Sequence, residues 1–171
     1  KHNIKNKSQL KNFINEIQNL SPTLPLFMAV DEEGGKVRRL RKSQGFNEFP
    51  SAAYVGNNLS LEEAREIYLG KADQIHTAGL NLNLGPVVDV NTNPSSPAIG
   101  KLKRSFSSDP ETVYNYSKAF VDAHHEASVL TTLKHYPGHG SSREDTHNDL
   151  TDITHSWNDQ EQIPFKRLIE S

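Results

Sequence analysis

The sequence predicts an α/β fold built on a parallel sheet, and three observations carry that prediction. Helix-patterned and strand-like segments alternate along the 171 residues. The strand-like runs are short and almost continuously apolar, the signature of strands covered on both faces. Each run ends in a loop that contains an ionisable residue. Alternation of this kind argues for parallel strands with helical crossovers, and the length suffices for one domain with its own core.

The first helix is expected over 8–20, where Leu10, Phe13, Ile14, Ile17 and Leu20 recur at three-four spacing behind Ser8 as N-cap. "SPTLP" stops it, and "LPLFMAVD" at 24–31 reads as a buried strand running into the acidic turn "DEEGG". A second helix is expected over 59–80, opened by a Ser60–Glu63 capping box and closed at Gly79. "NLNLGPVVDV" at 81–90 is a second buried strand, followed by a long polar loop at 91–108. The third helix, 109–128, has Asp109 as cap and Pro110 in its first turn. A third strand at 129–137 and a last helix at 158–171 complete the order α-β-α-β-α-β-α.

Parallel strands all point one way, so the residues that follow them collect at one end of the sheet. Here these are Asp31 with its acidic turn, Asp89 with "VNTNP", and Lys134–His135 with "YPGHG". In barrels and doubly wound sheets alike, that end binds ligands. One strand closed by an aspartate is only a strand stop, but three in succession make a site.

Composition excludes several classes. The net charge of −2 leaves no basic footprint for nucleic acid, so no nucleic-acid partner is expected. No apolar run approaches the roughly 20 residues of a membrane-spanning helix. The chain has no cysteine, so neither disulfides nor thiolate metal sites are available. The glycine pair Gly34–Gly35 lacks nucleotide-loop spacing and reads as a tight turn with positive φ.

The segment "KHYPGHGSSREDTH" at 134–147 is the densest in chemistry. Its histidines, His135, His139 and His147, could ligate a metal, but Pro137 and Gly138 rule out the one-face helical spacing that makes such a pattern strong. Ser141 and Ser142 lack the elbow that exposes a nucleophile. Asp145 and His147 fit acid/base work better: an aspartate bound to a histidine fixes its tautomer and raises its basicity. Taken alone, a D-x-H pair is equally a surface capping pair.

The blocks "AVDEEGGKVRRL", "LNLNLGPVVDV", "RSFSSDP" and "KHYPGHGSSREDTH", in that order, resemble glycoside hydrolase family 3, and within it the β-N-acetylhexosaminidase branch that acts on cell-wall fragments. The resemblance runs along nearly the whole chain. It implies a (β/α)8 barrel and a retaining glycosidase that removes terminal N-acetylglucosamine, with no cofactor. It implies that His147 is the acid/base, oriented by Asp145, and that Asp31, Arg39, Arg104, Lys134 and His135 bind the sugar. "IGKLKRSF" is longer than the family's pattern ahead of Arg104. A full barrel takes about 250 residues. Residues 1–171 are therefore expected to form one partial barrel domain, without its first strands, its C-terminal part or the nucleophilic aspartate. Such a piece should associate with itself or pair with the missing part. The resemblance implies the cytoplasm, and exported versions fit it as well. Two other readings are a non-catalytic carbohydrate-binding fragment and a metal-dependent hydrolase using the three histidines.

Overall fold

A computed structural model describes residues 3–144 and 152–171. Its elements are α1 (Lys7–Gln18), β1 (Ala29–Val30), α2 (Ala52–Asn58), α3 (Leu61–Thr77), β2 (Leu82–Asn83), α4 (Pro110–Glu126), β3 (Leu130–Thr131) and α5 (Ile163–Ile169), with 3-10 turns at Lys42–Gln44 and Asp159–Gln162. The three strands form one parallel sheet in the order β1-β2-β3, with Ala29 opposite Leu82 and Leu82 opposite Leu130. Parallel strands in sequence order with helices between them are the β/α-barrel pattern, and the architecture is that of a partial barrel.

Local chemistry explains the helix ends. Ser60 accepts from the Glu63 N–H while the Glu63 carboxylate accepts from the Ser60 N–H, a closed capping box at the start of α3. At its other end Gly79 adopts φ +90, its N–H donating to the His76 carbonyl and that of Leu80 to the Ile75 carbonyl. Those two bonds satisfy carbonyls that the helix leaves open. Asp109 caps α4 ahead of Pro110. The first helix starts two residues earlier than a cap at Ser8 would place it, because Asn6 accepts from the Gln9 N–H and takes the cap.

Three expectations change. The run 24–31 is not covered on both faces: Leu24 and Phe27 are exposed and precede β1, in which only Ala29 and Val30 pair. The strand expected over 81–90 is interrupted at Gly85–Pro86, where Pro86 has no N–H to donate, and pairing resumes at Val87 opposite Lys134. The last helix is shorter than 158–171, with a 3-10 turn leading into α5. Helix α2, capped by Ser51, carries no long apolar period and was absent from the sequence reading.

Two apolar clusters fill the fold. Leu10 and Ile14 of α1 meet Val30, Leu40, Ile75 and Val129 on one side. Tyr68, Val88, Val90, Phe106, Phe120 and Phe165 form the other, with Tyr68 edge-on to Phe120 at 4.9 Å between ring centroids. Each large side chain buried this way contributes roughly 1.5–3 kcal/mol. Together the clusters make a rigid platform, and the residues leaving the strands stand on it. Among the described residues no helix is long and apolar enough to cross a membrane.

Candidate functional site

Beyond the C-terminal ends of the strands the structure builds one continuous chain of polar contacts. Arg39 Nη2 lies 3.2 Å from Asp31 Oδ2. The other Asp31 oxygen accepts from Lys134 Nζ at 2.9 Å. Lys134 also lies 2.6 Å from Glu33 Oε1. Glu33 accepts twice from Arg104, through Nε and Nη2, both at 2.8 Å. Arg104 Nη2 then reaches His135 Nε2 at 3.2 Å, and His135 Nδ1 lies 2.6 Å from Asp89 Oδ2. Asp31 and Glu33 come from the loop after β1, Asp89 from the run after β2, and Lys134 and His135 from the loop after β3.

The contacts settle the histidine tautomer. Arginine has no acceptor, so His135 Nε2 must accept, and the ring proton on Nδ1 is donated to Asp89. Asp89 is fully buried and its other oxygen accepts from the backbone N–H groups of His135 and His139. One carboxylate thus fixes both the ring and the backbone of the segment that runs on toward 145. The Lys134–His135 peptide is cis.

The chain of charges has a buried layer and an accessible one. Glu33 and Arg104 side chains are only 8% and 11% exposed, whereas Asp31, Arg39 and His135 are about one third exposed. Burial alone would push the Glu33 carboxyl up. The hydrogen bonds and charge of Arg104, with Lys134 beside it, outweigh that and hold it below the usual carboxylate range. For Asp31 burial is likewise overcome by Lys134, with help from Arg39 and Arg104. The Arg104 guanidinium is held even more firmly protonated: burial opposes this, but Glu33 outweighs it. The buried layer is therefore a fixed ionic frame, and the accessible layer presents a carboxylate, a guanidinium and an imidazole outward.

The backbone is shaped to make this frame possible. Gly34 and Gly35 have φ +102 and +58, as expected for the tight turn, and a Cβ on Gly34 would meet the Pro50 carbonyl oxygen at 2.2 Å. The turn brings Glu33 back over the sheet. The extra residues ahead of Arg104 fold into a turn of their own, with Lys103 at φ +58 and its N–H donating to Gly100. Arg104 Nη1 donates to the Ala98 carbonyl at 2.9 Å, so the longer segment still delivers the guanidinium to Glu33. Loop 91–108 otherwise packs against the segment after β3: Asn93 Nδ2 donates to the Ser142 carbonyl, and the Ser96 and Ser142 hydroxyls lie 3.2 Å apart. Gly140 presses on Val90, whose carbonyl oxygen lies 1.6 Å from where a Cβ would stand.

All five residues that the resemblance puts on the sugar, Asp31, Arg39, Arg104, Lys134 and His135, meet in this one network. Asp145 and His147 lie outside the described residues. Sequence reasoning did not single out Glu33, the residue that ties two of the cations together, and it placed Asp89 at the ligand end of the sheet without assigning it a partner. Both stand at strand ends, the signal that marked Asp31. Only the turn geometry tells that Glu33 folds inward.

The whole chain, residues 1–171, matches the family model for the N-terminal domain of glycosyl hydrolase family 3. It is 34% identical over 184 residues to beta-hexosaminidase A of Pseudoalteromonas piscicida, covering 99% of this chain and 29% of that protein. Among solved structures it superposes on a fungal multi-domain GH3 beta-N-acetylglucosaminidase with a TM-score of 0.91 at 35% identity, covering 99% of this chain and 20% of the other. It also superposes on NagZ from Neisseria gonorrhoeae, solved in complex with N-trifluoroacetyl-D-glucosamine. There the TM-score is 0.84 at 28% identity, over 95% of this chain and 49% of the other. The chain thus spans less than half the length of each of these relatives.

Proposed function

The chain belongs to glycosyl hydrolase family 3, and from that membership we propose that the whole protein is a retaining β-N-acetylhexosaminidase whose sugar-holding face lies on these residues. The substrate is a glycan with terminal β-linked N-acetylglucosamine, of the kind found in cell-wall fragments. The observation that carries the reading is the convergence of Asp31, Arg39, Arg104, Lys134 and His135 at the ligand end of parallel strands. A carboxylate beside a guanidinium suits a pair of sugar hydroxyls, which both donate and accept. Arg104 and Lys134 lie deeper, where a donor gains most from a dry surrounding.

The reaction follows the retaining scheme. A carboxylate supplied from outside this chain attacks the anomeric carbon while the bond to the leaving oxygen breaks. His147 gives that oxygen its proton. Water then attacks the anomeric carbon, gives a proton back to His147 and displaces the enzyme carboxylate, which releases the sugar. Asp145 orients the imidazole throughout. The sugar-binding residues here hold the ring in place for both halves.

The same reading bears on assembly. Beside β1 a groove of about 330 Å³ is lined by Phe13, Met28, Leu80 and Leu84, together with Asp31 and Arg39. In the whole protein this flank is closed by the rest of the barrel; alone, the chain associates through it. Sedimentation tests this, and a compact, cooperatively unfolding monomer would count against it.

The decisive assay is hydrolysis of 4-nitrophenyl N-acetyl-β-glucosaminide by the full-length product, with and without a chelator. Turnover should be insensitive to the chelator and should fall about 10²- to 10⁴-fold in His147→Ala with folding retained. Unchanged turnover in that variant removes the dyad assignment, and no turnover in the parent removes the enzyme.

A further inference from the structure

Beneath the ionic frame sits a cation that the frame does not use. Lys71 of α3 is fully buried. Its Nζ donates to the backbone carbonyl of Glu33 at 2.6 Å. The rings of Phe49, Tyr68 and Phe120 lie 5.6, 5.2 and 5.3 Å from the ammonium. Aromatic faces attract a cation, but they replace its hydration only in part. Methionine would fill such a box without desolvating a charge. What the charge and the donor act on is the Glu33 peptide.

We propose that Lys71 is a positioning residue for the sugar-binding face: it clamps the Glu33 peptide from below and so sets the carboxylate that orients Arg104 and Lys134. The inference rests on the reading of those two cations as sugar-holding. The geometry is a relay of three contacts, from Lys71 Nζ to the Glu33 carbonyl, and from the Glu33 carboxylate to Arg104 and to Lys134. A sub-ångström drift of the peptide moves both cations together.

The clamp is sensitive to pH. Burial pulls the Lys71 ammonium down to about 8, against the pull of Glu32 and Glu33. The other ionisable groups facing it are Tyr68 from its own helix and His124 from α4. Burial raises the Tyr68 hydroxyl out of the working range and lowers His124 to about 3, so both stay neutral near pH 8. Burial raises Glu32 from the ordinary carboxylate range. Raising the pH through about 8 therefore discharges Lys71 and slackens its hold on Glu33.

Two readouts on wild type and Lys71→Met test this. The first is the Arg104 Nε–H resonance followed from pH 6.5 to 9.5, assigned by its loss in Arg104→Lys. In wild type it should shift through a titration near pH 8; in Lys71→Met it should be displaced and flat. The second is the affinity of the full-length protein for N-acetylglucosamine, which should fall at least about tenfold in Lys71→Met, the scale expected when an oriented group is misplaced. A resonance that is flat in wild type overturns the clamp even if the variant does not fold. A displaced resonance with no sugar bound by either protein leaves the clamp standing and refutes the sugar site. Equal affinity and equal titration in the two proteins overturn the clamp alone.

Discussion

The loop after β1 divides two regions that treat buried charge in opposite ways. Above it, Asp31, Glu33, Arg104 and Lys134 touch one another as formal ion pairs, and each titration is moved toward the charged form where it moves. Below it lie Glu32, Lys71, Asn83 and His124. There Glu32 accepts from the backbone N–H groups of Arg39 and Leu40 but leaves Oε1 with no partner among the described residues. Burial raises its pKa, lowers that of Lys71 to about 8 and lowers that of His124 to about 3. Glu32 and Glu33 are adjacent in sequence and both hidden. The difference is a guanidinium and an ammonium within hydrogen-bond reach of one and not of the other. Burial decides a pKa only where no opposite charge is in contact.

The largest expected effect comes from breaking the upper region. Arg104→Met leaves the Glu33 carboxylate buried with Lys134 alone, and should cost about 3–5 kcal/mol in urea unfolding. A loss below about 1 kcal/mol would mean that the frame is no tighter than a surface pair. Asp89→Asn comes next. It replaces the carboxylate acceptor of His135 Nδ1 and two backbone N–H groups by an amide, and should cost about 1.5–3 kcal/mol.

The lower region is probed by acid. His124 is neutral and buried, with Nδ1 against the Phe120 carbonyl and Nε2 against Asn83. Its folded pKa of about 3 lies below its unfolded value near 6.5, so the unfolded chain binds the extra proton between them. Stability should fall as pH drops from about 6.5 toward 3, by up to about 1.4 kcal/mol per unit. That contribution to the slope should vanish in His124→Gln. The smallest effect is expected at the exposed Arg65–Glu126 pair, where Arg65→Ala should change stability by no more than about 1 kcal/mol. A larger loss there would blur the contrast between solvated and buried pairs.

Much of this was legible in the residues themselves. The capping box at Ser60, the Gly79 stop and the Asp109–Pro110 start are local devices, and local devices can be read from a few adjacent letters. The strand ends were legible for the same reason, and they pointed to Asp31, Asp89, Lys134 and His135. Glu33 was not, because its role depends on a turn at Gly34–Gly35 and on Arg104, 71 positions away. The exposure of Leu24 and Phe27 depends on where β1 begins, which no run of apolar letters reports. Lys71 looked like any polar position on an amphipathic helix, and only the surrounding rings show that it faces inward.

The most direct test sets the two neighbouring glutamates side by side. Glu32→Gln and Glu33→Gln differ by one position and make the same chemical change, so urea unfolding and N-acetylglucosamine affinity can be compared without further correction. Glu33→Gln should lose about 3 kcal/mol of stability, because the buried Arg104 loses its paired carboxylate and Lys134 is left with Asp31 alone, and sugar affinity should fall with it. Glu32→Gln should change stability by less than about 1 kcal/mol, because the amide oxygen still accepts from the two backbone N–H groups and a desolvated carboxylate is gone. Equal losses in the two variants, or the larger loss in Glu32→Gln, would contradict the division of charge on which the site rests.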